Sequence, residues 1–327
     1  MIGQTTKSYD KEQANKKINK KSIFTSVVFV TLGAMVSCFL WGSAYPMIKL
    51  GYEEFEISSD MTATQILFAG IRFTLAGILA VLIGCIIRRK LLLPKKSSVP
   101  MILKLSMFQT IGQYFFFYVG LAHTTGVRAS IIQGTNVFAV LVVASIFFRQ
   151  EKLTVGKGAG CIIGFLGVLL VSLYKGSLGT GDIIRGDLFI IISTVAYAFS
   201  SVLLKDYTKK EDPVVLSGYQ FIIGGMIMTI AGLLMGGRIV KVTGRGVADL
   251  FYLAFVSAVA YTIWGILMKH NPVSRISVYG FLTPIFGVIT SIILLDEGAG
   301  FGLPHLIALV LVCVGIIVVN LDSKSGG

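Results

Sequence analysis

Between residues 24 and 320 the chain is a succession of ten apolar stretches, each about 18 to 26 residues long and almost free of charge. Hydrocarbon offers no partner to a backbone N–H or C=O. A stretch this long and apolar satisfies its own backbone by coiling into a helix across roughly 30 Å of lipid. The stretches fall at about 24–49, 63–87, 101–122, 127–148, 157–174, 187–204, 213–236, 247–269, 274–295 and 302–320. Only 14% of residues are charged, against roughly 25% in a soluble domain, and mean hydropathy is +0.82. A soluble all-α fold cannot bury so many uncharged runs. The sequence predicts an all-α integral membrane protein of ten transmembrane helices, with no soluble domain in its short connections.

A net charge of +13 would suggest a nucleic-acid partner in a soluble protein; here none is expected, because the basic residues are sorted by side. About three-quarters of the 29 Lys and Arg fall on the side that carries the N-terminus, and basic residues collect in cytoplasmic loops. Both termini are therefore predicted in the cytoplasm, in a multi-pass protein of the cytoplasmic membrane. One connection disagrees: 237–246 carries Arg238, Lys241 and Arg245 yet falls outside. Residues 1–23 read as a basic, disordered cytoplasmic tail without a small-residue cleavage site, and 321–327 as a second cytoplasmic tail. Cys38, Cys85, Cys161 and Cys313 lie inside apolar runs without CxxC spacing. They read as small core residues, so neither a metal site nor a cofactor is expected.

The two halves, 24–174 and 187–320, resemble each other. Ser37, Trp41 and Lys49 align with Ser193, Tyr197 and Lys205. Arg72-Phe73 and Gly77 align with Gln220-Phe221 and Gly225; Tyr114, His123 and Asn136 align with Tyr261, His270 and Thr283. Arg128-x-Ser130 aligns with Arg275-x-Ser277, all at an offset near 150 residues. Five spans per half make the second half enter from the opposite side. That is an inverted-topology repeat, the architecture that supports alternating access with a site near the midplane.

Trp41-Gly-Ser-Ala-Tyr-Pro46, the 5+5 arrangement, and Ala129-Ser130 followed by Asn136 and Glu151-Lys-Leu-Thr154 resemble the EamA branch of the drug/metabolite transporter superfamily. The resemblance covers about residues 24 to 320. The small-plus-acid pair that usually ends the fourth span reads Arg149-Gln-Glu151 here; the second copy, Leu295-Asp-Glu-Gly298, is nearer the pattern. The resemblance implies transport of small metabolites, with spans 1–4 and 6–9 around a central cavity and spans 5 and 10 peripheral.

Polar and aromatic groups at helical spacing mark faces that avoid lipid. Candidate cavity residues are Trp41 and Tyr45 with Ser37 in span 1, and Gln109, Gln113 and Tyr114 with Tyr118 in span 3. Span 4 adds Gln133 and Asn136, span 6 Tyr197 and Ser200, span 8 Tyr261 and Trp264 with Ser257, and span 9 Tyr279 and Thr283. Pooled, they suit an apolar body with a few polar groups. Arg72, deep in span 2, either bonds backbone carbonyls freed by the Pro46 end of span 1 or a span-end acid, or anchors an anion or carboxylate. His123 and His270 read as interfacial hydrogen-bonding groups. Pro46 and Pro284 are candidate hinges. Gly156, Gly160 and Gly164, at four-residue spacing, allow close packing of span 5, within the chain or in a homodimer through span 5 or span 10.

No Asp or Glu lies in the interior of a span, the acids sitting at span ends as Glu151, Asp187, Asp296 and Glu297 do, which weakens readings as a polycation carrier or a carboxylate-based proton carrier. There is no P-loop, HExxH or GxSxG, so neither ATP-driven transport nor an enzyme is expected. The sequence predicts a gradient-driven transporter of a small metabolite, such as an amino acid or related compound, with export favoured by the resemblance. Alternatives are an importer or exchanger of a nucleoside, sugar or quaternary amine, or a membrane receptor or scaffold that moves nothing.

Overall fold

The computed structural model describes residues 24–150, 153–174, 183–271, 276 and 278–325. The tail 1–23, Glu151 and the Arg275 and Ser277 of the second repeat lie outside the described residues. Among the described residues the chain runs through ten helical elements. They are α1 (Val27–Glu54), α2 (Thr62–Arg88), and α3, built from Val99–Leu105, a π-helical stretch Ser106–Gln113 and Tyr114–His123. Next come α4 (Gly126–Gln133 and Asn136–Ile146), α5 (Val155–Leu173), α6 (Ile183–Tyr207) and α7 (Pro213–Leu234). The last three are α8 (Gly244–His270), α9 (a 3₁₀ turn Val278–Phe281 running into Leu282–Leu294) and α10 (Leu303–Ser325). The protein is a multi-pass, all-α membrane protein whose surface is apolar, with Ile86, Val155 and Leu173 exposed, while Ser37, Gln65, Gln109 and Thr110 are buried. That inversion is what lipid as solvent selects.

Short polar side chains set the helix starts. Ser26 Oγ accepts from the Phe29 N–H, Thr125 Oγ1 from Arg128 and Thr154 Oγ1 from Lys157; Thr243 Oγ1 accepts from Gly246. At α7, Asp212 accepts from Val214, with Pro213 at the first helical position, where its missing N–H costs nothing. Two ends run further than the sequence suggests. α1 passes through Pro46 to Glu54, so Glu53 and Glu54 belong to its last turn, and α10 continues to Ser325.

The helices pair as two interchangeable halves. α2 packs on its counterpart α7, and α5 on α10. α1 packs on α8 and α9, and its counterpart α6 packs on α3 and α4. The α2–α7 contact is backbone against backbone. A methyl group on Gly225 would lie 2.4 Å from the Thr74 nitrogen, and one on Gly77 would lie 2.5 Å from the Gly218 carbonyl oxygen. The same happens at the periphery, where a methyl on Gly315 would lie 2.6 Å from the Gly160 oxygen. The glycine face of span 5 is thus used within the chain. Helices approach this closely only through small residues, and the contact energy is van der Waals packing.

The breaks also repeat. α4 is interrupted at Gly134–Thr135, and α9 changes from 3₁₀ to α between Phe281 and Leu282; these places coincide at the offset that aligns Asn136 with Thr283. Pro284 lies in the first turn after that change, where no intrahelical hydrogen bond is lost. Two of the three basic residues in the connection 237–246 pair with acids at and just beyond the end of α1. Lys241 Nζ lies 2.8 Å from Glu56 and Arg245 Nε 3.5 Å from Glu54, and the Thr243 hydroxyl donates to Glu54 at 2.6 Å.

Gly225→Val places branched carbon against the α2 backbone, an overpacking expected to cost about 1–3 kcal/mol. Its folded yield and thermal midpoint in detergent are expected to fall. Gly158→Val, where a Cβ meets nothing within 4 Å, is expected to leave both unchanged. Equal behaviour of the two variants would contradict the α2–α7 contact.

Candidate functional site

The halves enclose a cavity of about 430 Å³. α1 lines it with Trp41 and Tyr45, α2 with Arg72, and α3 with Gln113 and Tyr114. α4 contributes Gln133 and Asn136 from the two sides of its break. The second half supplies Tyr197 from α6, Tyr261 and Trp264 from α8, and Thr283 and Pro284 from α9. α7 adds no described wall residue because it sits behind α2. The ends of α5 and α10, expected to be peripheral, reach the wall with Lys157 and Val319.

Gln109, Ser200 and Tyr279 stand off the wall. The π-helical stretch accounts for the first. Its wider turn shifts the helical stripe relative to an unbroken α-helix, so Gln109 and Gln113 part company. Gln109 turns to α7 and α8, accepting from Gln220 Nε2 at 2.7 Å and donating to the Tyr261 hydroxyl at 2.9 Å. Tyr261 in turn meets the Tyr114 hydroxyl at 3.0 Å. Gln109 therefore holds Tyr261 from behind and, through it, Tyr114. Ser200 donates to its own helix at Tyr197. The Tyr279 hydroxyl pairs with Thr31 at 2.7 Å and ties α9 to the start of α1. Pro46 is buried within continuous helix, away from the wall.

Arg72 is 3% exposed. Its Nε donates to the Leu253 carbonyl at 3.2 Å, Nη2 to the Ser257 hydroxyl at 3.0 Å, and Nη1 to the Tyr118 hydroxyl. The guanidinium lies 4.7 Å from the centroid of Phe73 and 5.7 Å from that of Tyr118, within cation–π range. Neither partner considered from sequence is found: the carbonyl belongs to Leu253 on α8, not to the Pro46 end of α1, and no acid is among the described contacts. Trp41 meets Tyr261 and Trp264 edge-on at 5.4 and 5.1 Å. Trp41 Nε1, Gln113 Oε1 and Asn136 Oδ1 are buried on this wall without a protein partner.

The two ends of the cavity differ. Toward the face where α1 starts and α10 ends, the wall runs out to Ala144, Lys157, Met268 and Val319, and Val140, Trp264 and Met268 are only half-buried. Toward the opposite face the space is filled. Tyr45 meets Phe117, and Tyr52, Phe55, Phe68 and Tyr118 close over one another, all buried. Polar contacts seal the rim. Lys49 Nζ donates to the Thr124 carbonyl at 2.7 Å, and Glu297 accepts from the Gly126 and Val127 N–H groups that begin α4. Beside them Arg128 and Asp187 form a buried pair at 2.5 Å. His123 bonds the Val119 carbonyl and His270 stacks on Phe24, both off the wall.

Sequence reasoning missed Phe117, Met268 and Lys157. Phe117 was findable, four residues after Gln113 on one helical stripe. Met268 looks like any lipid-facing apolar residue, and Lys157 was counted only as the charge of a connection.

Residues 28–173 and 184–321 each match the EamA-like transporter family. The transporter YvbV of Bacillus subtilis is 27% identical over 88% of this chain and 90% of its own length. A probable amino-acid metabolite efflux pump of Escherichia coli is 24% identical over 81% and 86%. A protein of known crystal structure, 20% identical, shares the fold at a TM-score of 0.62 over 92% of this chain and 99% of its own. Two five-helix halves around an aromatic-lined cavity with a few polar groups place the protein among membrane transporters built from repeats. Within that class, the chain belongs to the EamA-like transporter family.

Tyr261→Phe leaves the Gln109 amide and the Tyr114 hydroxyl short of a partner, a loss of about 1–3 kcal/mol. The thermal midpoint in detergent is expected to drop by a few degrees. An unchanged midpoint would remove the hydrogen-bonded relay from the account.

Proposed function

We propose that the protein is a secondary transporter that moves a small metabolite, an amino acid or related compound, by alternating access. The observation that carries this reading is the cavity's asymmetry: one chamber between the halves, reaching one face and plugged at the other. The sorting of basic residues supports placing the open face in the cytoplasm. A solute entering there would meet an aromatic wall with amide and hydroxyl groups, a lining suited to a small amphipathic molecule.

Passage to the far side requires the Tyr45–Phe117 contact and the Lys49 and Glu297 seals to part while the inner ends of α4, α5, α8 and α10 come together. The matched breaks in α4 and α9 are natural places for this bending, because a turn already lacking regular hydrogen bonds bends at little further cost. The name of the Escherichia coli relative supports amino acids as the class and export as the direction.

Two measurements test this reading. Met268→Cys, in a background without the four native cysteines, is expected to react with an impermeant maleimide from the cytoplasmic side, and Tyr52→Cys from neither side at rest. Purified protein in liposomes is expected to exchange labelled amino acids, with Trp41→Ala slowing exchange about tenfold or more, the scale of 1.4 kcal/mol. Flux of only a nucleoside, sugar or quaternary amine would move the substrate class. No flux for any of these would remove the transport reading.

A further inference from the structure

We propose that Arg72 is the anchor for a carboxylate on the transported solute, so that the cavity selects small monocarboxylates with an apolar body. The inference deepens the transport reading and rests on it.

Two arginines are buried among the described residues, and they are treated differently. Arg128, 2% exposed, faces Asp187 at 2.5 Å and two backbone carbonyls. Arg72, 3% exposed, has only neutral partners, one carbonyl and two hydroxyls. Hydroxyls and carbonyls solvate a guanidinium but leave its charge uncompensated. None of the described wall residues is acidic. A buried charge in a low-dielectric site attracts a counter-ion strongly, and here the space open to it is the cavity.

The side chain also has donors to give. A guanidinium carries five N–H groups; three are directed at Leu253, Ser257 and Tyr118. The remaining two are one on Nη1 and one on Nη2, and a guanidinium presents such paired N–H groups to a carboxylate as a fork. Those three contacts fix the fork from α3 and α8, so a solute would meet it already oriented.

The internal repeat argues that the charge is not needed for packing. The aligned position in the second half holds Gln220, also buried, which bonds Gln109 as a neutral amide. Only the copy that faces the cavity carries the arginine.

The rest of the wall describes the solute's other end. Trp41, Tyr114, Tyr261 and Trp264 offer ring surface for an apolar body. The unpartnered oxygens of Gln113 and Asn136 suit an N–H donor on the same molecule. One uncompensated positive charge calls for one negative charge, so a monocarboxylate fits better than a phosphate dianion.

Binding of acid and amide pairs to the purified full chain tests this without any mutation. The pairs are L-phenylalanine and L-phenylalaninamide, L-leucine and L-leucinamide, and 3-phenylpropionate and 3-phenylpropionamide, with inorganic phosphate as competitor. In at least one pair the acid is expected to bind about tenfold or more tightly than its amide, the scale of one charge-assisted forked contact, and phosphate not to compete. Arg72→Gln is expected to bring that ratio to about one, and Arg72→Lys to keep part of it. Amides binding as well as acids, a ratio that survives Arg72→Gln, competition by phosphate, or no acid binding at all would each overturn the anchor. Where one of these results overturns the anchor, weaker binding of both members of a pair by Trp41→Ala, or liposome flux of a solute without a carboxylate, leaves the transport reading standing. Absence of both binding and flux removes both.

Discussion

Side chains are what keep two helices apart, and α2 and α7 lack them where they cross. Gly70 and Gly77 on one helix and Gly218 and Gly225 on the other bring backbones into contact. In lipid, where water does not drive helices together, that contact area is the main source of cohesion. It also determines how the halves face each other. With the second helix of each half locked to its counterpart, α1 is left to meet α8 and α9, and α6 to meet α3 and α4. The cavity is what these crossed pairings leave between them.

Around that frame the polar groups are placed by backbone irregularity more than by sequence period. The π-helical stretch of α3 separates Gln109 from Gln113, giving one to the structural relay through Tyr261 and the other to the cavity. The break in α4 puts Gln133 and Asn136 on either side of an interruption that faces the chamber. Such departures from regular helix are tolerated at membrane depth only where protein or a cavity, not lipid, receives the freed groups.

Much of this was legible in the chain itself. The apolar runs located the spans, because hydrocarbon thickness sets their length. Trp41, Tyr45, Tyr197 and Tyr261 reached the wall as their helical stripes implied. Gln109, Ser200 and Tyr279 did not, for local reasons that no stripe carries: a π-turn, a hydroxyl bonded to its own helix, and a tie to Thr31. Lys241 and Arg245 looked out of place because their partners, Glu56 and Glu54, are nearly two hundred residues away in sequence and adjacent only in the fold. Met268 and Lys157 were invisible because a residue at the mouth of a membrane cavity has the composition of its neighbours in lipid or in a loop.

The chain has two tryptophans, Trp41 and Trp264, and both are on the cavity wall with ring centroids 5.1 Å apart. Their placement makes the protein its own spectroscopic probe. Light absorbed at the red edge of the aromatic band is absorbed here by indole alone, and every indole in the molecule borders the chamber. Emission colour therefore reports how wet or dry the chamber is, and energy exchange between the rings reports whether α1 and α8 keep their spacing. No label and no substitution is needed, and no indole elsewhere in the chain contributes background.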